Sequence, residues 1–91
     1  MKNKKELKAA SHQLKPVVII GANGLTENIH NEIETTLIAH ELIKIRINTK
    51  DQAARILMLE KILEKHNANL VNRIGSIAAI YRKNDEKEEK G

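Results

Sequence analysis

The alternation of apolar and polar positions divides the chain into three helical and four extended segments. Residues 4–12 put Leu7 and Ala10 on one side of a helix, with Leu14 beyond, and Pro16 prevents its continuation. Residues 17–20, Val-Val-Ile-Ile, are apolar on both faces and predict a strand covered on both sides. Ile29, Ile33 and Leu37 then recur every four residues and Ile38 widens the stripe. Thr26 is the expected N-cap of that helix, which runs to about His40. Ile29 occupies the place where a capping box needs an acid, so no box is expected there.

Residues 42–48 alternate strictly. Ile43, Ile45 and Ile47 point to the core, while Lys44, Arg46 and Asn48 form a polar, basic face. A third helix opens at Thr49 or Asp51 and reaches about His66, with Ile56, Leu59, Ile62 and Leu63 inward and Asn67 near its end. Residues 70–74 and 77–82 are two short strands around a tight Gly75-Ser76 hairpin. The order predicts an α/β fold: a two-layer α-β-α-β-α-β-β domain with a four-stranded mixed sheet. Its two strand–helix–strand crossovers should be right-handed. The main helices are expected on one face and the N-terminal helix over part of the other. Residues 1–82 form this single domain; residues 83–91, nearly all charged, are expected to lack fixed structure.

Between the first strand and the second helix lies Gly21-Ala22-Asn23-Gly24. Glycine lets a backbone come close to a ligand, and the following helix presents unpaired N–H groups and a positive dipole end. A phosphate suits such a place. A side chain such as valine at Gly24 is expected to obstruct it. The loop lacks the Gly-Lys-Ser/Thr ending of a Walker A motif and the third glycine of a dinucleotide fingerprint. A tight strand-to-helix turn with no ligand explains the same glycines, so the spacing alone does not decide.

Composition narrows the choice of partner. The 91 residues carry a net charge of +4, concentrated in residues 1–15, where five lysines stand against Glu6 alone. A basic segment beside a glycine loop favours a polyanion. Tyr81 is the sole aromatic residue, which argues against stacking bases on rings and leaves the nucleic-acid backbone as the thing to hold. No apolar run is long enough to span a membrane, and no apolar segment of a secretion signal follows the N-terminal lysines. The absence of cysteine suits a cytoplasmic location.

Catalytic signals are weak. His12, His30, His40 and His66 show no metal-ligand spacing, so no metal site is expected, and His40 reads best as a cation at a helix end. Glu32, Glu34, Glu60 and Glu64 read as solvated helix surface. Lys44 and Arg46 fit either a solvated strand face or a binding surface, and Arg73 and Arg82 are further candidates for it. A non-enzymatic binding protein is expected, with no cofactor. A protein-interaction adaptor with a basic surface is the alternative, and an enzyme acting on small phosphate compounds is a distant third.

Residues 14–26, Leu-Lys-Pro-Val-Val-Ile-Ile-Gly-Ala-Asn-Gly-Leu-Thr, resemble the hallmark of the CRM domain, the RNA-binding module of chloroplast RNA splicing and ribosome maturation proteins. His40-Glu41-Leu42-Ile43-Lys44 is similar to its second signature, and Ile74-Gly75 with Tyr81-Arg82 to its closing hairpin. The resemblance runs from about Leu7 to Arg82, and it is to stand-alone bacterial members. It implies a fold similar to the C-terminal domain of translation initiation factor three. It also implies RNA binding through the GxxG loop and a partner in ribosomal RNA or the pre-ribosomal large subunit. Family loops often carry a basic residue between the glycines, whereas Ala22 and Asn23 are neutral, which shifts the attraction onto Lys15, Lys44, Arg46 and the N-terminal lysines. The expected RNA-binding residues are Lys15, Gly21, Ala22, Asn23, Gly24, Leu25, Thr26, Lys44 and Arg46, in a monomer with neither membrane nor small-molecule partner.

Overall fold

The computed structural model describes residues 3–84. Its elements follow the order α1 (Lys4–Ser11), β1 (Pro16–Ile20), α2 (Glu27–His40), β2 (Leu42–Ile47), α3 (Gln52–His66), β3 (Asn69–Ile74) and β4 (Ile77–Tyr81). One four-stranded sheet has the order β1-β2-β4-β3. β1 and β2 are parallel, while β4 runs antiparallel to both β2 and β3. The mixed α/β architecture is the one the sequence pattern predicts.

Each helix is started by a side chain that answers an orphan amide. Asn3 and Glu6 form a reciprocal capping box on α1, with bonds of 2.8 and 3.1 Å. Thr26 Oγ1 accepts from the Ile29 amide at the head of α2, and Asp51 caps α3 through Ala53. α3 ends on Asn67 in the left-handed conformation, with the Ala68 amide donating back to the Leu63 carbonyl.

The two faces of the sheet are covered unequally. α2 and α3 share one face, where Ile33, Leu37, Leu59 and Ile62 close over Val18, Ile20, Ile43, Ile45, Ile47 and Ile80. The strict alternation in β2 accounts for its three inward isoleucines. On the opposite face α1 packs across β2, β4 and β3, burying Leu7 against Val71 and Ala79. α1 does not reach the outer part of β1.

Several expectations are corrected here. β1 is covered on one side only: Val17 is 53% and Ile19 57% exposed, because β1 is an edge strand and α1 sits over the other side of the sheet. Ile38 and Ile56, expected inward, are on the surface, because each helix offers the sheet only one narrow stripe. Ser11 is buried where no polar residue was expected, and its hydroxyl donates to the Lys8 carbonyl. The last described residue, Asn84, is tied in by Nδ2 bonds to the Leu37 and Ile38 carbonyls and by its amide to Glu41. The rest of the expected tail, 85–91, lies outside the described residues. Among the described residues, no helix is long and apolar enough to cross a membrane.

Candidate nucleic-acid interface

The carboxyl ends of β1, β2 and β3 gather at one end of the sheet, the end where open α/β sheets place ligands. Three loops meet there. Asn48 donates to the Ile20 carbonyl at 2.8 Å, joining the glycine loop to the segment before α3. The Ile47 amide donates to Ser76 at 2.8 Å, adding the β3–β4 hairpin.

The glycine loop uses few of its own amides. Gly24 donates to the Gly21 carbonyl at 3.0 Å and Thr26 to the Gly24 carbonyl at 3.1 Å. Thr26 Oγ1 takes the Ile29 amide. The amides of Ala22, Asn23 and Leu25 have no partner among the described residues. Gly21, Ala22 and Asn23 are exposed and Leu25 is half-buried, so the Ala22 and Asn23 donors face solvent beside the positive end of α2.

The two glycines do different work. Gly24 has φ +74°, a conformation that side chains rarely adopt, so it is required by the turn itself. Valine there strains the fold as well as obstructing a ligand, which corrects the simpler expectation. A Cβ on Gly21 would meet no atom within 4 Å, so that glycine is not demanded by packing.

The cationic residues expected to surround the loop are spread along the face of the sheet that α1 leaves open. Lys44 is in register with Pro16 and Arg46 with Ile19, so Arg46 stands nearer the loop. Lys15 lies about 20 Å of extended chain from Gly21. Together with Lys44 and His40 it lines a groove of about 420 Å³ at the far end of β1. Leu25 and Thr26 serve the loop differently: Leu25 packs against the core and Thr26 is the cap. Thus Gly21, Ala22, Asn23, Gly24, Leu25 and Thr26 are one cluster, and Arg46, Lys44 and Lys15 form a basic track leading away from it.

Arg82 does not join that track. Its Nη1 donates to Glu34 Oε1 at 3.0 Å and to the His66 carbonyl at 3.1 Å. Arg73 pairs with Ala78, which faces α2 and α3, so it too is off the open face. Sequence reasoning did not find Arg55, whose Nη1 donates to the Thr49 carbonyl at 2.6 Å. That bond holds a guanidinium next to the segment joined to the glycine loop.

Between α2, the end of α3 and the end of β4 lies an unexpected polar chain. His66, buried, places Nδ1 2.9 Å from Glu34 Oε1 and Nε2 3.0 Å from His30 Nδ1. Hydrogen bonds from Arg82 and then His66 hold the Glu34 carboxyl below its ordinary value. Burial, followed by the nearby His66 and Lys65 charges, lowers the His30 imidazole. Only the helical spacing of His30 and Glu34 hints at this chain, since the other links join residues 32, 36 and 48 positions apart. His40 ends α2 as expected, but Asn84 supplies the hydrogen bonds to its last carbonyls.

The chain matches known proteins along almost its whole length. A Pseudomonas aeruginosa protein named as a probable RNA-binding protein is 41% identical over 81 residues, covering 89% of this chain and 78% of that one. A Haemophilus influenzae RNA-binding protein is also 41% identical, over 93% of this chain and 86% of its own. The solution structure of a Staphylococcus aureus protein, described as a proposed RNA binder, superposes with a TM-score of 0.79 at 32% identity. It covers 94% of this chain and 90% of that one. The CRS1/YhbY (CRM) domain model matches residues 1–82. With the strand–GxxG–helix unit, the mixed sheet and these matches in agreement, the chain is a member of the CRS1/YhbY (CRM) domain family.

Proposed function

We propose that this chain is an RNA-binding protein that assists assembly of the large ribosomal subunit. Family membership and the RNA-binding names of its relatives support the first part. The observation that carries the mechanism is the run of unpartnered amides at Ala22, Asn23 and Leu25, the first two on exposed residues, beside the N-terminus of α2. A backbone phosphate accepts from them, and Arg46, Lys44 and Lys15 meet the phosphates that follow along the open face of the sheet. Backbone contacts of this kind set affinity and position, so selectivity comes from RNA shape. The protein works as a monomer in the cytoplasm, without catalysis or cofactor, and its target is ribosomal RNA in large-subunit precursors.

Ala22→Glu tests the mechanism. Ala22 is exposed, so the fold is spared while a carboxylate enters the loop. RNA affinity should fall by about tenfold, the scale of one lost charge-assisted contact. Unchanged affinity removes the loop from the interface. Crosslinking in growing cells tests the target, with contacts expected on large-subunit precursor RNA.

A second reading, a protein-interaction adaptor, is favoured by one observation: Val17, Ile19 and Ile74 stand exposed on the open face among the cations. An adaptor should purify free of RNA, and the RNA binder should not.

A further inference from the structure

Two features remain after the phosphate site is described, and they adjoin each other. The first is a groove of about 450 Å³ between the start of α2 and the middle of α3, lined by Leu25, His30, Ala54, Leu57, Met58 and Lys61. It begins at the loop's own backbone, since Met58 Cε lies 3.8 Å from the position of a Cβ on Gly24. Leu57 is 58% exposed, a large aliphatic side chain left uncovered beside the loop. No acidic side chain lines the groove, and Lys61 stands at it.

The second feature is the hydrogen-bond chain that ends at His30. Arg82 and the Nδ1 of His66 both point at Glu34 Oε1, so that His66 nitrogen carries a proton. The other nitrogen of His66, Nε2, lies 3.0 Å from Nδ1 of His30, so the two rings share one proton between them. The remaining nitrogen of His30, Nε2, has no partner among the described residues. A chain of four side chains, with His66 buried at its centre, thus fixes the orientation of the His30 ring beside the groove it lines.

We propose that the groove receives the nucleobase of the nucleotide whose phosphate meets the glycine loop: an unpaired base lies on Leu57 and Met58 and hydrogen-bonds to His30 Nε2. The inference rests on the RNA reading above and deepens it. Four points favour a base over an apolar peptide side chain. The groove is continuous with the glycine loop, it is cationic at Lys61, it has no acid to repel a phosphate, and it holds one oriented, unpartnered imidazole nitrogen. A base in a duplex is stacked and paired, so the occupant comes from a single-stranded segment. Aliphatic side chains take the place of the aromatic platform that this composition lacks.

The test compares a single-stranded RNA hexamer with an abasic ribose-phosphate hexamer of equal charge, by fluorescence anisotropy with the whole chain at one salt concentration. The base-bearing strand should bind about tenfold tighter, the factor expected from removing roughly 60 Å² of apolar surface from water. Leu57→Ser, on an exposed helix position, should erase that advantage and leave the affinity for the abasic strand unchanged. Equal binding of the two strands, or an advantage that survives Leu57→Ser, overturns the groove assignment and leaves the phosphate site standing. Failure of both strands to bind overturns the RNA reading together with this one. Methyl resonances of Leu57 and Met58 that respond to an apolar peptide and not to RNA assign the groove to a protein and overturn the proposal.

Discussion

The two faces of the sheet have opposite designs. Under α2 and α3, twelve buried residues make a dry cluster, with Ile20, Ile33, Leu37, Ile45, Ile62 and Ile80 wholly removed from water. Among the described residues, the apolar cluster buried on the α1 face is Leu7, Val71 and Ala79, and Val17, Ile19 and Ile74 stay in solvent beside Lys44 and Arg46. Nearly all the apolar burial that drives folding therefore lies on one side. The other side is free to carry charge, and the proposed RNA track uses that freedom. The main core and the proposed cationic track are separated by the thickness of one sheet.

The sharpest way to break this contrast is to delete core volume. Ile33→Ala should lose about 3 kcal/mol or more, read from chemical denaturation, since a fully buried isoleucine leaves a cavity. Lys44→Glu with Arg46→Glu should do the reverse, weakening RNA binding by about tenfold or more with little change in the denaturation midpoint. For a single-stranded RNA the slope of log affinity against log salt should become shallower by about 1.4. A steep wild-type slope that the double variant leaves unchanged would place the phosphates elsewhere.

Acid probes the His30–His66–Glu34–Arg82 chain. His30 is held below its ordinary value, so the unfolded chain binds more protons as the pH falls through about 6.5. Glu34 is also lowered, so the stability it contributes is present above the ordinary carboxylate range and is lost below it. Both signs agree: stability should decline from neutral pH downward, first with His30 and then with Glu34. Glu34→Gln should flatten the lower limb, as followed by thermal melts across pH. The smallest effect belongs to the open face, where Ile19→Ser should change stability by less than about 0.5 kcal/mol.

How much of this was legible depended on whether a signal was local. The strict alternation of residues 42–48 revealed both the inward isoleucines and the outward Lys44 and Arg46, because a strand's period is two. Thr26, Asn67 and the Gly75 turn announced themselves through local backbone chemistry. The capping box of Asn3 and Glu6 is equally local, an Asn with a Glu three residues on. The four apolar residues at 17–20 misled, because hydrophobicity does not say whether a strand ends at an edge. Arg82 was uninformative alone; its partners Glu34 and His66 are brought to it only by the tertiary fold. The loop itself stood out in the sequence, while the separation of Lys15 from it appeared only with the strand register.

The most direct measurement is a titration of the ¹⁵N-labelled chain with a single-stranded RNA hexamer, following each backbone amide. The amides of Ala22, Asn23 and Leu25 should move first and furthest, with Arg46 and Lys44 next and the α2–α3 core unchanged. Saturable binding that leaves those three amides where they were would contradict the account.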